Sequence, residues 1–228
     1  MADLDLRRMA DIPDPFAIAA QGAPPPLAGK ALDRSPSRAH VRGLRAAAVA
    51  IALLAEVAWL GLVEHRPDLT SVSPSVLVLG VGIPLVAAAL ALAAATRRGA
   101  LGLGESTSRL VTLVGLSVAV FAAGTVFAAP RGSVGEADFW GHTLRCMGVT
   151  AVLASAPLAL GVWSFRHAFV GAPVWRSAAL GVAAGALAAA TMTLACSTDG
   201  ALHVLVGHGA MMLVGGAVGA TLGRATRA

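Results

Sequence analysis

Two cysteines, Cys146 and Cys196, are the only thiols in the 228-residue chain, and each lies at the end of a long apolar run. His142 precedes Cys146 by four residues, the helical spacing at which two side chains converge on one face. His203 follows Cys196 after a short polar turn. Two sulfurs and two imidazole nitrogens form a soft donor set suited to zinc or cuprous ion. A pair of thiols by itself could instead be oxidised, or could serve as two small buried hydrophobes. Arg145, directly before Cys146, would favour the thiolate, the form that reacts with oxidants and metals. The tight C-x-x-C spacing of structural zinc sites is absent.

The elements that must position these groups are membrane spans. Apolar residues make up 57% of the chain and charged residues 13%, with mean hydropathy +0.76. A soluble domain carries about twice that charge density, so the composition is that of an integral membrane protein. No short apolar run with a cleavage site follows the polar start, so the N-terminal segment is expected to stay on the mature chain. About 20 apolar residues cross a bilayer as a helix, and six stretches qualify: Leu44–Val63, Val72–Thr96, Leu110–Pro130, Thr143–Phe165, Ser177–Cys196 and Leu202–Gly223. The expected fold is all-α, a bundle of six transmembrane helices over residues 44–228 preceded by a short tail, residues 1–43.

Arginines concentrate on one side of that topology. The tail carries Arg7, Arg8, Lys30, Arg34, Arg38 and Arg42, the second and fourth loops add Arg97, Arg98, Arg166 and Arg176, and the end has Arg224 and Arg227. The positive-inside rule then puts both termini in the cytoplasm. The net charge of +5 is accounted for by topology, and no basic face with interleaved aromatics signals direct nucleic-acid binding. Spans four and five run about 19 residues each from the thiols to the intervening Arg166–Arg176 turn, roughly 28–30 Å at helical rise. Cys146 and Cys196 therefore return to one level on the non-cytoplasmic side. Whether their Cα atoms come within disulfide reach depends on helix rotation, which spacing does not supply.

Three further features could carry function. In the tail, Leu4, Leu6, Met9 and Ile12 fall near one face of a short helix, ahead of Pro13, Pro15 and a Pro-rich linker. Such a segment is a positive-inside anchor or folds on a cytoplasmic protein partner. Glu56 is the one carboxylate deep inside a span, and intramembrane ionisable groups face the bundle interior; His208, inside span six, is its candidate partner. Gly215, Gly219 and Gly223, with Gly181 and Gly185 in span five, are spaced for close helix approach. Enzymatic motifs (G-x-S-x-G, H-E-x-x-H, a P-loop, a dinucleotide fingerprint) are missing, so neither an enzyme nor a bound cofactor is expected.

Residues 44–228 resemble the NrsF-type membrane anti-sigma factors. The resemblance rests on Arg66-Pro67-Asp68-Leu69 after span one, Arg145-Cys146 opening span four with Pro157 behind it, and the stretch from Arg176 to Thr191 leading into Leu194-Ala195-Cys196. It implies a six-span inner-membrane protein that holds an extracytoplasmic-function sigma factor through its cytoplasmic N-terminal segment. It also implies release on a stress signal (oxidant, metal or light), with Cys146 and Cys196 at the periplasmic face as the sensing residues. Around the second cysteine the relatives read His-Cys-Pro-Glu, where this chain has Ala195-Cys196-Ser197-Thr198. The alternative reading is a small transporter or ion-conducting protein, with Glu56 and the histidines lining a path.

Overall fold

The computed structural model describes residues 56, 59, 66, 70–96, 106–128, 139–165, 172–198 and 200–225, all within one unit, Arg42–Ala228. Among these residues every regular element is helical. The tail with Leu4, Leu6, Met9 and Ile12, and most of the expected first span, lie outside them; Glu56 and Trp59 are helical. Five helices long and apolar enough to cross a bilayer follow: α1 Pro74–Thr96, α2 Thr107–Ala128, α3 Phe139–Phe165, α4 Pro173–Ala195 and α5 Ala201–Ala225. They coincide with expected spans two to six.

Four helices begin earlier than the apolar runs, α5 by a single residue, and turn chemistry sets two of those starts. Ser106 Oγ accepts from the backbone N–H of Arg109 and caps α2. Ala172 stands before α4 in the left-handed region (φ 50°), and Pro173 follows at the first helical position, where its missing N–H costs nothing. The first turn of α3, Phe139–His142, precedes the expected start at Thr143.

Specific contacts fix the helix directions. Ser117 Oγ donates to Ala87 O at 2.6 Å, joining α2 to α1. Thr193 Oγ1 lies 3.1 Å from Gly80 O near the start of α1, while Arg176 Nη1 donates to Ala95 O at its end, so α1 and α4 are antiparallel. That arginine also satisfies a carbonyl in the last turn of α1, where a cation is favoured. Gly161 faces Leu180 and Cys146 faces Cys196, which makes α3 antiparallel to α4.

Helix α4 is the hub. In its most apolar window 83% of residues are buried, against 22% in each of α1, α2 and α3. Its sequence is mostly Ala and Gly, and small residues let neighbouring backbones come close. The closest approach is to α5. A Cβ added at Gly185 would stand 2.5 Å from Met211 O, and one at Gly215 2.6 Å from Gly181 O. Gly219 and Gly223 meet the backbone of Ser177 and Pro173 in the same way. The evenly spaced glycines thus form a seam between two helices of one chain.

Large apolar side chains point the other way. Val78, Phe127, Trp140, Val152 and Leu213 are exposed, while the core is built from Ala87, Ala91, Ala94, Ala186 and Ala188 with Leu110, Phe121 and Met212. In water such a surface would be an aggregation hazard. Against lipid it is the expected arrangement, since small residues make helix–helix contacts and large ones face the acyl chains.

Candidate functional site

The two thiols meet at one end of the bundle. Cys196 caps the C-terminus of α4, its N–H donating to Met192 O at 2.8 Å. Cys146 lies two turns into α3, and the sulfurs are 3.6 Å apart. Both residues are half-buried free thiols. The two sulfurs are within hydrogen-bond reach of each other, and Cys196 Sγ is also within reach of His203.

His203 opens α5 and is buried, with Nε2 3.3 Å from Cys196 Sγ and Nδ1 3.0 Å from Thr143 Oγ1. Either tautomer suits both contacts: with the proton on Nδ1, Thr143 accepts it and Nε2 offers the sulfur a lone pair, and with the proton on Nε2 the ring donates to the sulfur and Thr143 donates to Nδ1. Phe139 stacks edge-on against the ring, with centroids 6.4 Å apart.

Next along α5 comes a π turn, Val204–His208, in which Gly209 N–H donates to Val204 O, five residues back. In an α-helix, residues five apart are rotated by about 140°. The wider π turn brings them close to one face. His203 and His208 consequently stack edge to face with centroids 5.3 Å apart. Thr150 Oγ1, which donates to Cys146 O at 2.7 Å, is also 3.3 Å from Gly207 O, tying α3 to this turn.

One ligand atom from each of Cys146, Cys196, His203 and His208 lies within 4.8 Å of all the others. The structure thus brings together three of the four metal-ligating residues expected from spacing and replaces the fourth. His142 shares a helix with Cys146 but is exposed, and His208 takes its place. Spacing offers His208 only as a partner for Glu56, and the π turn is what brings it beside His203. The expected pairing of Glu56 with His208 is likewise not formed. Both are buried, and no hydrogen bond joins them.

Arg66, buried beside the site, is a residue whose role spacing did not disclose. Its Nη1 donates to Cys196 O at 3.3 Å and its N–H to Leu194 O at 3.4 Å. Arg66 therefore braces the end of α4. Thr143 and Thr150 were also missed, since a threonine in an apolar helix carries no spacing signal.

Comparison with known proteins gives one family. The model described as NrsF, negative regulator of sigma F, matches residues 28–226. The match begins after Leu4, Leu6, Met9 and Ile12. No curated protein and no solved structure matches the chain significantly.

Proposed function

The chain belongs to the NrsF family of negative regulators of sigma F, and from that premise we propose that it holds an extracytoplasmic-function sigma factor at the bacterial inner membrane and releases it when the Cys146–Cys196 pair is modified. The family role makes a sigma factor its partner and regulation, not catalysis, its activity; it also favours this reading over a transporter. The positive-inside bias supports cytoplasmic termini, with the thiols at the periplasmic end. The tail, with Leu4, Leu6, Met9 and Ile12 as apolar anchors, is the segment that binds the partner. It is the one long stretch the topology leaves in the cytoplasm.

The observation that carries the input side is the 3.6 Å between the sulfurs. Hydrogen peroxide can take two electrons and two protons from the two thiols, giving a disulfide and two molecules of water. Forming that bond shortens the sulfur separation to about 2.05 Å. It draws α3 toward the α4–α5 turn and removes Cys196 from His203. Near-complete release requires this change to shift partner affinity by roughly 10⁴-fold.

A reporter driven by the sigma factor tests the output side. Deleting residues 1–42 should leave an inserted protein that no longer represses, and full repression by that variant would refute the tail as the binding segment. Deleting residues 1–27 alone separates the four apolar anchors from the part of the tail inside the family match.

A further inference from the structure

We propose that Cys146, Cys196, His203 and His208 form a binding site for one divalent d10 cation of the zinc type, held by two thiolates and two neutral imidazoles. Two of the six donor separations match those of a tetrahedral ion, and the others lie within 4.8 Å. A tetrahedral ion with sulfur at about 2.3 Å and nitrogen at about 2.0–2.1 Å needs its sulfurs about 3.8 Å apart and each sulfur–nitrogen pair about 3.5 Å apart. The sulfurs are 3.6 Å apart and Cys196 Sγ is 3.3 Å from His203 Nε2.

A second, independent observation is His208. It is 1% exposed and lies within 4.8 Å of the other three donors, and among the described residues neither ring nitrogen makes a hydrogen bond of good distance and angle; its interaction is with the Cys196 sulfur, inside the site. A buried imidazole so poorly satisfied calls for an explanation. A metal bond supplies one. The π turn supplies another part of the argument, since it is the device that turns both histidines of α5 to the same side. Such turns occur frequently at functional sites.

The supporting contacts are those of a metal centre. Thr143 takes the far nitrogen of His203, the orienting hydrogen bond that metal-bound histidines almost always make. Arg66 fixes the carbonyl of Cys196. Two thiolates and two neutral imidazoles around a divalent cation sum to zero, and a soft, four-coordinate sulfur and nitrogen donor set is the one zinc-type ions take. Loading releases the two thiol protons. It also occupies both sulfurs, so a loaded site cannot form the disulfide.

The test needs no sigma factor, so it stands or falls separately from the proposed function. The full-length protein is purified in detergent under reducing conditions and titrated with Co2+ as a spectroscopic stand-in for Zn2+. The expected result is one equivalent bound, with tetrahedral d–d bands and sulfur-to-cobalt charge transfer, displaced by Zn2+. His208→Asn and Cys196→Ser should each weaken binding at least tenfold, Thr143→Val should weaken it 10–100-fold, and His142→Asn should leave it unchanged. X-ray absorption of the zinc-loaded wild type should count two sulfurs and two nitrogens, a readout that does not depend on any variant folding. Absence of Co2+ and Zn2+ binding, binding of Cu+ alone, or loss of binding in His142→Asn would each overturn the proposal.

Discussion

Replacing Gly185 by alanine probes the α4–α5 seam most directly. The added methyl would lie 2.5 Å from Met211 O and 2.6 Å from Met212 N. An ordinary carbon–oxygen contact is about 3.3–3.6 Å, so the shortfall is about 0.8–1.1 Å. The obstacle is backbone, which cannot rotate away as a side chain can. Helix α5 must retreat by most of that distance. A gap of about 0.5–1 Å forfeits a quarter to a half of each dispersion contact along the seam. Overpacking of this kind costs about 1–3 kcal/mol. Gly181→Ala meets the backbone of Gly215 in the same way, and once α5 has moved for one methyl the second is accommodated nearly free. The double variant should therefore lose less stability than the sum of the singles. Gly82→Ala, with nothing within 4 Å of the added carbon, is the control and should gain about 0.5–1 kcal/mol from helix propensity. Equilibrium unfolding in mixed micelles measures all four. Equal stabilities for Gly185→Ala and Gly82→Ala, or strict additivity in the double variant, would refute the seam as described.

Ser117→Ala removes the 2.6 Å bond to Ala87 O and should cost about 0.6 kcal/mol, and no more than about 1.7, by the same unfolding measurement. Arg66→Met deletes the brace on Cys196 O; a lost hydrogen bond to a charged group is worth about 1.5–3 kcal/mol. Alkylation of Cys196 in the intact protein should accelerate in that variant, and an unchanged rate would show that Arg66 does not hold the turn. The Cys146→Ser, Cys196→Ser double variant should insert and repress normally yet give no reporter response to peroxide; a wild-type response would take the thiols out of the mechanism.

The helical class, the five described spans, their relative directions and the shared end of the two cysteines follow from run length and the short Arg166–Arg176 turn. What spacing could not supply is rotation about each helix axis. A span that is apolar all round carries no stripe to say which side faces the neighbour, and α1 in particular is uniformly apolar. The inward side is marked mainly by size: most buried apolar residues are alanines, while most of the large exposed ones are leucine, valine and tryptophan. The fourth member of the site was hidden for a different reason. His142 and Cys146 satisfy the α-helical period, whereas His203 and His208 satisfy it only after the turn at Val204–His208 widens. Glycines at 207 and 209, on either side of His208, are the one local hint of a distorted turn there. The polar ties made by Ser117, Thr143, Thr150 and Thr193 were equally silent, because a hydroxyl in an apolar helix shows neither its direction nor its acceptor.

The alanine–glycine face of α4 has a mechanical consequence. Interdigitated cores of large side chains have discrete resting positions, because every displacement must lift knobs out of holes. Where α4 meets Gly215 and Gly219, two backbones pass each other with almost no side chain between them. That contact strongly resists compression, since no atom is left to yield. Along its length it has few teeth. A push delivered at the cysteine end would travel down α5 as a slide of the whole rod, with little side-chain repacking to absorb it before the far end of the bundle.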